Sequence, residues 1–81
     1  MNTPDYVEYK GYQIIPAPYP LRDGGYSIHV VIAHHTGPAV RERPFTADGH
    51  FDTEKEANIA AIEFGEQIID GEVEGVSVKG L

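Results

Sequence analysis

Four histidines, thirteen acids and the closely spaced Arg41 and Arg43 are the groups in this 81-residue chain that could do chemistry. His34 and His35 are adjacent, so on a strand they point to opposite faces and cannot share an ion. His29 and His35 share a face but stand roughly 20 Å apart along a strand. No pair has the short helical spacing of a zinc site. Asp48, His50 and Asp52 alternate, which on extended chain would put three ligands on one side; turns and caps before helices use the same residues. Asp70, Glu72 and Glu74 before Gly75 copy the opening of a calcium loop. Its final position is Leu81, where such a loop needs a bidentate Glu. No metal and no cofactor is expected.

Nucleophilic and acid–base chemistry have as little to stand on. Cysteine is absent, and Ser27 and Ser77 each sit inside alternating strand-like text. There is no glycine-rich phosphate loop after a strand and no serine nucleophile motif. Nothing places two carboxylates in a pocket, and so small a domain has little room for one. The chain is read as non-enzymatic, with no catalytic residue.

Charge narrows the partner class. The net charge is −7, and residues 52–74 hold eight acids against Lys55 alone. A field of that sign repels phosphate backbones. Arg41 and Arg43, with His29, are the ingredients for a nucleic-acid-binding strand face, the alternative reading. Arginines flanking Glu42 also protect an edge strand from pairing with another chain. Nucleic acid is therefore not the expected partner. A basic protein meeting the acidic surface fits the charge better.

The elements that must position these groups can be read next. Isoleucine and valine far outnumber leucine, an inventory that favours strands. Residues 6–15 alternate around Gly11, a bulge or tight turn, after which Tyr12 and Ile14 share a face. Pro16, Pro18 and Pro20 forbid a central strand and predict an extended edge crossing. Asp23-Gly24-Gly25 turns the chain into the best strand, residues 26–34, with Tyr26, Ile28, Val30 and Ile32 on the core face. A turn at 35–38 leads to a strand over 39–45, confined to a sheet edge by Pro44. There Phe45 shares a phase with Arg41 and Arg43, so a bulge at Pro44 is expected to swing it inward. Asp48-Gly49 is expected to turn toward a helix.

That helix is the clearest signal. Thr53 with Glu56 forms a capping box, and Asp70-Gly71 gives a stop. Ala57, Ala60, Ala61, Phe64 and Ile68 make an apolar stripe. Ile59 falls in the charged sector, Ile62 lies on its border and Ile69 is near Ile62. The expected fold is one α+β domain over 1–81, with 1–5 and 72–81 as flexible termini. A small antiparallel sheet, one or two short ones, is packed by one C-terminal helix at about 53–70.

The set Tyr9-Lys10-Gly11-Tyr12-x-Ile14, Phe45, Phe51-x-Thr53-x-x-Glu56-Ala57 and Ile68-Ile69-Asp70-Gly71, over roughly residues 9 to 71, resembles small uncharacterised bacterial proteins of the same β-then-helix plan. That resemblance implies a bacterial origin and this fold, and it transfers no site residue. The stretch from Thr53 to Asp70 is also similar to a family of haemolysin transcriptional activators, a shared helix grammar that keeps the regulator reading open.

The functional expectation is a protein-interaction or accessory module. Its partner surface is Ile59, Ile62, Glu63 and Glu66. Ile59 and Ile62 are expected to meet a partner rather than the tail. No apolar run is long enough to span a membrane. A cytoplasmic monomer is expected.

Overall fold

A computed structural model describes residues 6–81, and the expected flexible terminus at 1–5 lies outside them. Four antiparallel strands form one sheet in the order β1-β2-β3-β4: β1 Val7–Tyr9, β2 Tyr12–Pro16, β3 Tyr26–Thr36 and β4 Ala39–Phe51. A single helix, α1 (Glu54–Ile69), follows. The α+β expectation holds, and the prolines do not split the sheet.

The first hairpin turns on two residues, Lys10 (φ 50°) and Gly11 (φ 88°). Positive φ at both central positions matches the right-handed twist of the flanking strands, and glycine tolerates it without strain. Beyond Pro16 the chain stays beside β3. Ala17 N donates to His29 O at 2.8 Å, Ser27 N to Tyr19 O at 3.0 Å and Leu21 N to Gly25 O at 3.0 Å. Odd positions therefore turn their bonding groups toward β3, and Pro16, Pro18 and Pro20 occupy the positions that face away. Each proline removes a donor that no ladder uses among the described residues.

The same alternation explains Pro44. Because His29 bonds toward β2, Val31 does too, and its cross-strand partner Pro44 belongs to a pair without mutual hydrogen bonds. Its missing N–H would have pointed to open solvent at the sheet edge.

The expected bulge at Pro44 is not there. Pairing runs unbroken from Ile28↔Ala47 through Val30↔Phe45 and Ile32↔Arg43 to Thr36↔Ala39. The register shift falls between Tyr26 and Ile28, opposite residues 48–50. Gly49 packs there so close to Ile28 that a Cβ would stand 2.9 Å from its Cδ1. Asp48-Gly49 thus bulges a long strand rather than ending it. Phe45, Arg41 and Arg43 share the helix-bearing face, where tail carbonyls accept from both arginines; Arg43 is half-buried and Arg41 stays exposed.

One face of the sheet carries the core. Ile14, Val30, Ile32 and Phe45 meet Ala61 and Ile68 in one buried cluster. Thr53 caps α1, its Oγ1 accepting Glu56 N at 3.2 Å, and Gly71 (φ 76°) ends it. The buried helix positions are Ala57, Ala61, Gly65 and Ile68. Relative to the expected stripe the helix is rolled, with Ala60 and Phe64 only half-buried. Gly65 is the cause. An ideal Cβ there would lie 2.6 Å from Ile14 Cγ2, so the helix axis sits where only a bare backbone fits. The roll carries Ile62 and Ile69 to the flank of the core, where both pack against the buried cluster.

The sequence predicts a flexible terminus over 72–81; in the structure this segment lies on the sheet. Val73, Val76, Val78 and Leu81 are half-buried against the same cluster. α1 lies over β2 and β3 and reaches β4 only slightly, so the tail covers ground the helix leaves open.

Candidate functional site

The outer face of α1 holds the first candidate residues. Ile59, Ile62, Glu63 and Glu66 fall at helical spacings of three and four, so they form one contiguous stripe. Ile59 stands opposite the buried positions and is 51% exposed. Glu63 is exposed beside it, while Glu66 and Ile62 are half-buried. The four are brought together, with Ile62 shared between the stripe and the core. Lys55 is the one cation on the helix, and the first turn adds Glu54 and Glu56.

The second set is taken apart. His29 lies on the opposite face of the sheet, where Nδ1 shares a 2.9 Å hydrogen bond with Thr46 Oγ1 and Tyr19 packs edge-on against the ring. Arg41 and Arg43 lie on the helix-bearing face and are engaged by the tail. Arg43 Nη1 donates to Ser77 O and Lys79 O, both at 3.0 Å, and Arg41 Nη1 donates to Gly80 O at 3.3 Å. His34, stacked on Tyr12 at 4.8 Å, donates from Nδ1 to Leu81 O at 3.0 Å. The shared parity of Arg41, Arg43 and Phe45 was the signal that these arginines face a covering segment.

Among the described residues no three His, Asp or Glu side chains gather in a metal-binding arrangement. His50, one of the alternating trio, donates from Nε2 to Gly24 O at 2.9 Å. An open depression of about 570 Å³ lies at the first hairpin, lined by Glu8, Tyr9, Lys10, Gly11, Tyr12, Gln13 and His35. His35 Nε2 donates to Gln13 Oε1 at 3.2 Å on its wall.

Behind that depression the hairpin is clasped to the helix end. Tyr9 Oη donates to Asp70 Oδ2 at 2.8 Å, and Lys10 Nζ pairs with Asp70 Oδ1. The hydrogen bonds from Lys10 and Tyr9 hold the Asp70 carboxyl below its ordinary range. The bond to Asp70 raises Lys10 and Tyr9 above theirs. Sequence reading missed this clasp, because Asp70 looked like a helix terminator and its partners lie sixty residues away. A depressed carboxylate pKa adds stability above its unfolded value, and that stability is lost as pH falls through the folded one. The stabilisation by Asp70 is therefore expected to be constant near neutrality and to vanish on acidification below 3.8. Comparing melting of the unaltered chain with Asp70→Asn across that range checks it. A difference that persists unchanged at the acid end would refute the clasp. At the alkaline end the raised Lys10 and Tyr9 lose their share as pH climbs past 10.

A family model described as "Domain of unknown function (DUF6566)" matches residues 2–79. The chain belongs to the DUF6566 family. This agrees with the resemblance to proteins without an established family function. No curated protein and no solved structure matches this DUF6566 chain. No helix among the described residues is long and apolar enough to cross a membrane.

Proposed function

We propose that this DUF6566 domain is a non-enzymatic protein-binding module whose recognition surface is the outer face of α1. The observation that carries the reading is Ile59, half exposed on a helix whose surroundings are acidic. A branched apolar side chain in water is disfavoured by about 25 cal/mol per Å² of exposed apolar area, so a partner that covers it gains that term. Glu63 and Glu66 beside it set the partner's sign: a basic surface with an apolar recess. Like-charge repulsion from the same face discourages self-association, and the reading includes a monomer working in a bacterial cytoplasm.

The test begins with capture of a partner from the native cell extract and continues with titration of the purified pair. Ile59→Lys is expected to leave melting within about 0.5 kcal/mol, as surface changes do. It is expected to weaken the complex at least about tenfold, since an exposed apolar anchor at an interface is worth more than 1 kcal/mol. Glu63→Lys with Glu66→Lys should also weaken it and flatten its salt dependence. Affinity unchanged by both variants would refute the reading. Co-purifying nucleic acid would instead favour the regulator alternative, which the engagement of Arg41 and Arg43 by tail carbonyls does not support.

A further inference from the structure

One face of the sheet has no element packed over it among the described residues. α1 and the segment from Val73 to Leu81 both lie on the face that holds Ile14, Val30 and Ile32. Strand register fixes what the other face presents. Its middle row runs Ile15–Val31–Pro44 straight across β2, β3 and β4. Ile15 and Val31 are half-buried, and Pro44 is exposed. Toward one end stand His29, Thr46 and Tyr19, the last 46% exposed; toward the other stands Val40, 51% exposed. Among the register-paired residues of this face, Glu8 and Glu42 are the sole Asp, Glu, Lys or Arg, level with each other on β1 and β4.

An apolar row that ends in exposed Tyr and Val and carries little charge has the composition of an interface. Charge also selects the partner. A basic protein gains little from so neutral a surface. Two copies of a chain with net charge −7 meet best there, because the acids of α1 lie on the far side of the sheet. We propose that this face is the contact between two copies of the chain, packed back to back with both helices outside. Sheets packed in this way stand about 10 Å apart. The helices lie a further layer out on either side, beyond the Debye length of ~8 Å that limits their repulsion.

The acids also choose the two-fold axis. An axis along the strands sets Glu8 of one copy over Glu42 of the other, and does so twice. An axis along the Ile15–Val31–Pro44 row lays that row on its own counterpart. It brings Glu42 of one copy over the His29–Thr46 pair of the other, and this is the arrangement of the dimer. β3, β4 and the chain from Tyr12 to Pro20, with β1 beside them, give a face on the order of 500–700 Å². A standard stable interface uses about 800 Å² per partner, so this dimer is reversible. The monomer of the helix-face reading is its dilute form, and the outer stripe of α1 stays free in both copies.

Sedimentation equilibrium of the full chain from about 1 μM to about 1 mM covers the range of such a contact. The mean mass is expected to rise from 8.9 kDa toward twice that. Amide resonances of Val31 and Thr46 should shift along the same series, while that of Ile59 stays fixed. Val31→Glu sets a carboxylate against its own counterpart and should weaken the dimer at least about tenfold. Val40→Glu, at an exposed position, should weaken it too and decides the matter if Val31→Glu does not fold. Ile59→Lys should leave the dimer intact, which separates this outcome from that of the helix surface. A mass fixed at 8.9 kDa throughout overturns the proposal, even where a foreign protein is captured on this face. So does association that survives both valine variants, that Ile59→Lys abolishes, or that continues past two copies.

Discussion

Replacing Ile14 with alanine is expected to destabilise the domain by about 2–5 kcal/mol, the usual cost of emptying a fully buried aliphatic site. Ile14 is 0% exposed and packs directly beneath Gly65. A chain of this length has roughly 4–12 kcal/mol of total stability, so the variant sits near the edge of unfolding. The companion change is more diagnostic. Gly65→Ala places a Cβ 2.6 Å from Ile14 Cγ2. The resulting overpacking costs about 1–3 kcal/mol. Against that, alanine improves helix propensity by about 1 kcal/mol. In the unaltered chain the clash wins or cancels. In the Ile14→Ala background the obstructing atoms are gone, and Gly65→Ala should become stabilising by up to about 1 kcal/mol. Denaturant melts of the four chains measure this reversal of sign. A Gly65→Ala effect that is the same in both backgrounds would show that the helix does not rest on Ile14.

Ending the chain at Gly71 is expected to lower stability by about 2–4 kcal/mol. Four half-buried aliphatic side chains lose their cover at roughly 1 kcal/mol each or more. Release of the tail returns backbone entropy that offsets part of this. For a domain of this size the shift is about 8–30 °C in melting temperature. Amide resonances of Ile62, Ile69 and Arg43 should move, while those of the first hairpin should not. The sequence alone pointed the other way, to a mobile tail whose loss changes little. A truncated chain with an unchanged melting temperature would restore that expectation and remove the covering role assigned to Val76 and Val78.

The difference between the two expectations shows where a sequence is legible. The helix ends could be read because their signals are local: a hydroxyl three residues before a carboxylate, and Asp-Gly at the close. β3 could be read because its alternation is long and its residues β-branched. Gly65 could not, because a glycine carries no hydropathy and its value lies in the space it leaves for Ile14. The clasp of Tyr9 and Lys10 on Asp70, and the grip of Arg41 and Arg43 on the tail, join residues more than thirty positions apart. Only parity hinted at the second: two arginines in phase with Phe45 called for a cover, and a bulge was the nearer explanation. Of the candidate surfaces, the stripe on α1 was legible as helical spacing. The separation of His29 from the arginines needed the strand's phase across a turn.

The prolines at 16, 18, 20 and 44 have a consequence for the chain in company. A sheet of antiparallel strands ends in rims of unused donors and acceptors, and such rims recruit strands from neighbouring molecules. Here one rim is the long β4, and on the other side β1, which begins at Val7 opposite Ile14, does not reach the proline run among the described residues. At each of these places nitrogen is present without its hydrogen, so an incoming strand meets a gap in the ladder. Four prolines that look like interruptions of the fold act as its boundary, and they oppose the fibre-like edge pairing to which a sheet rich in isoleucine and valine is prone.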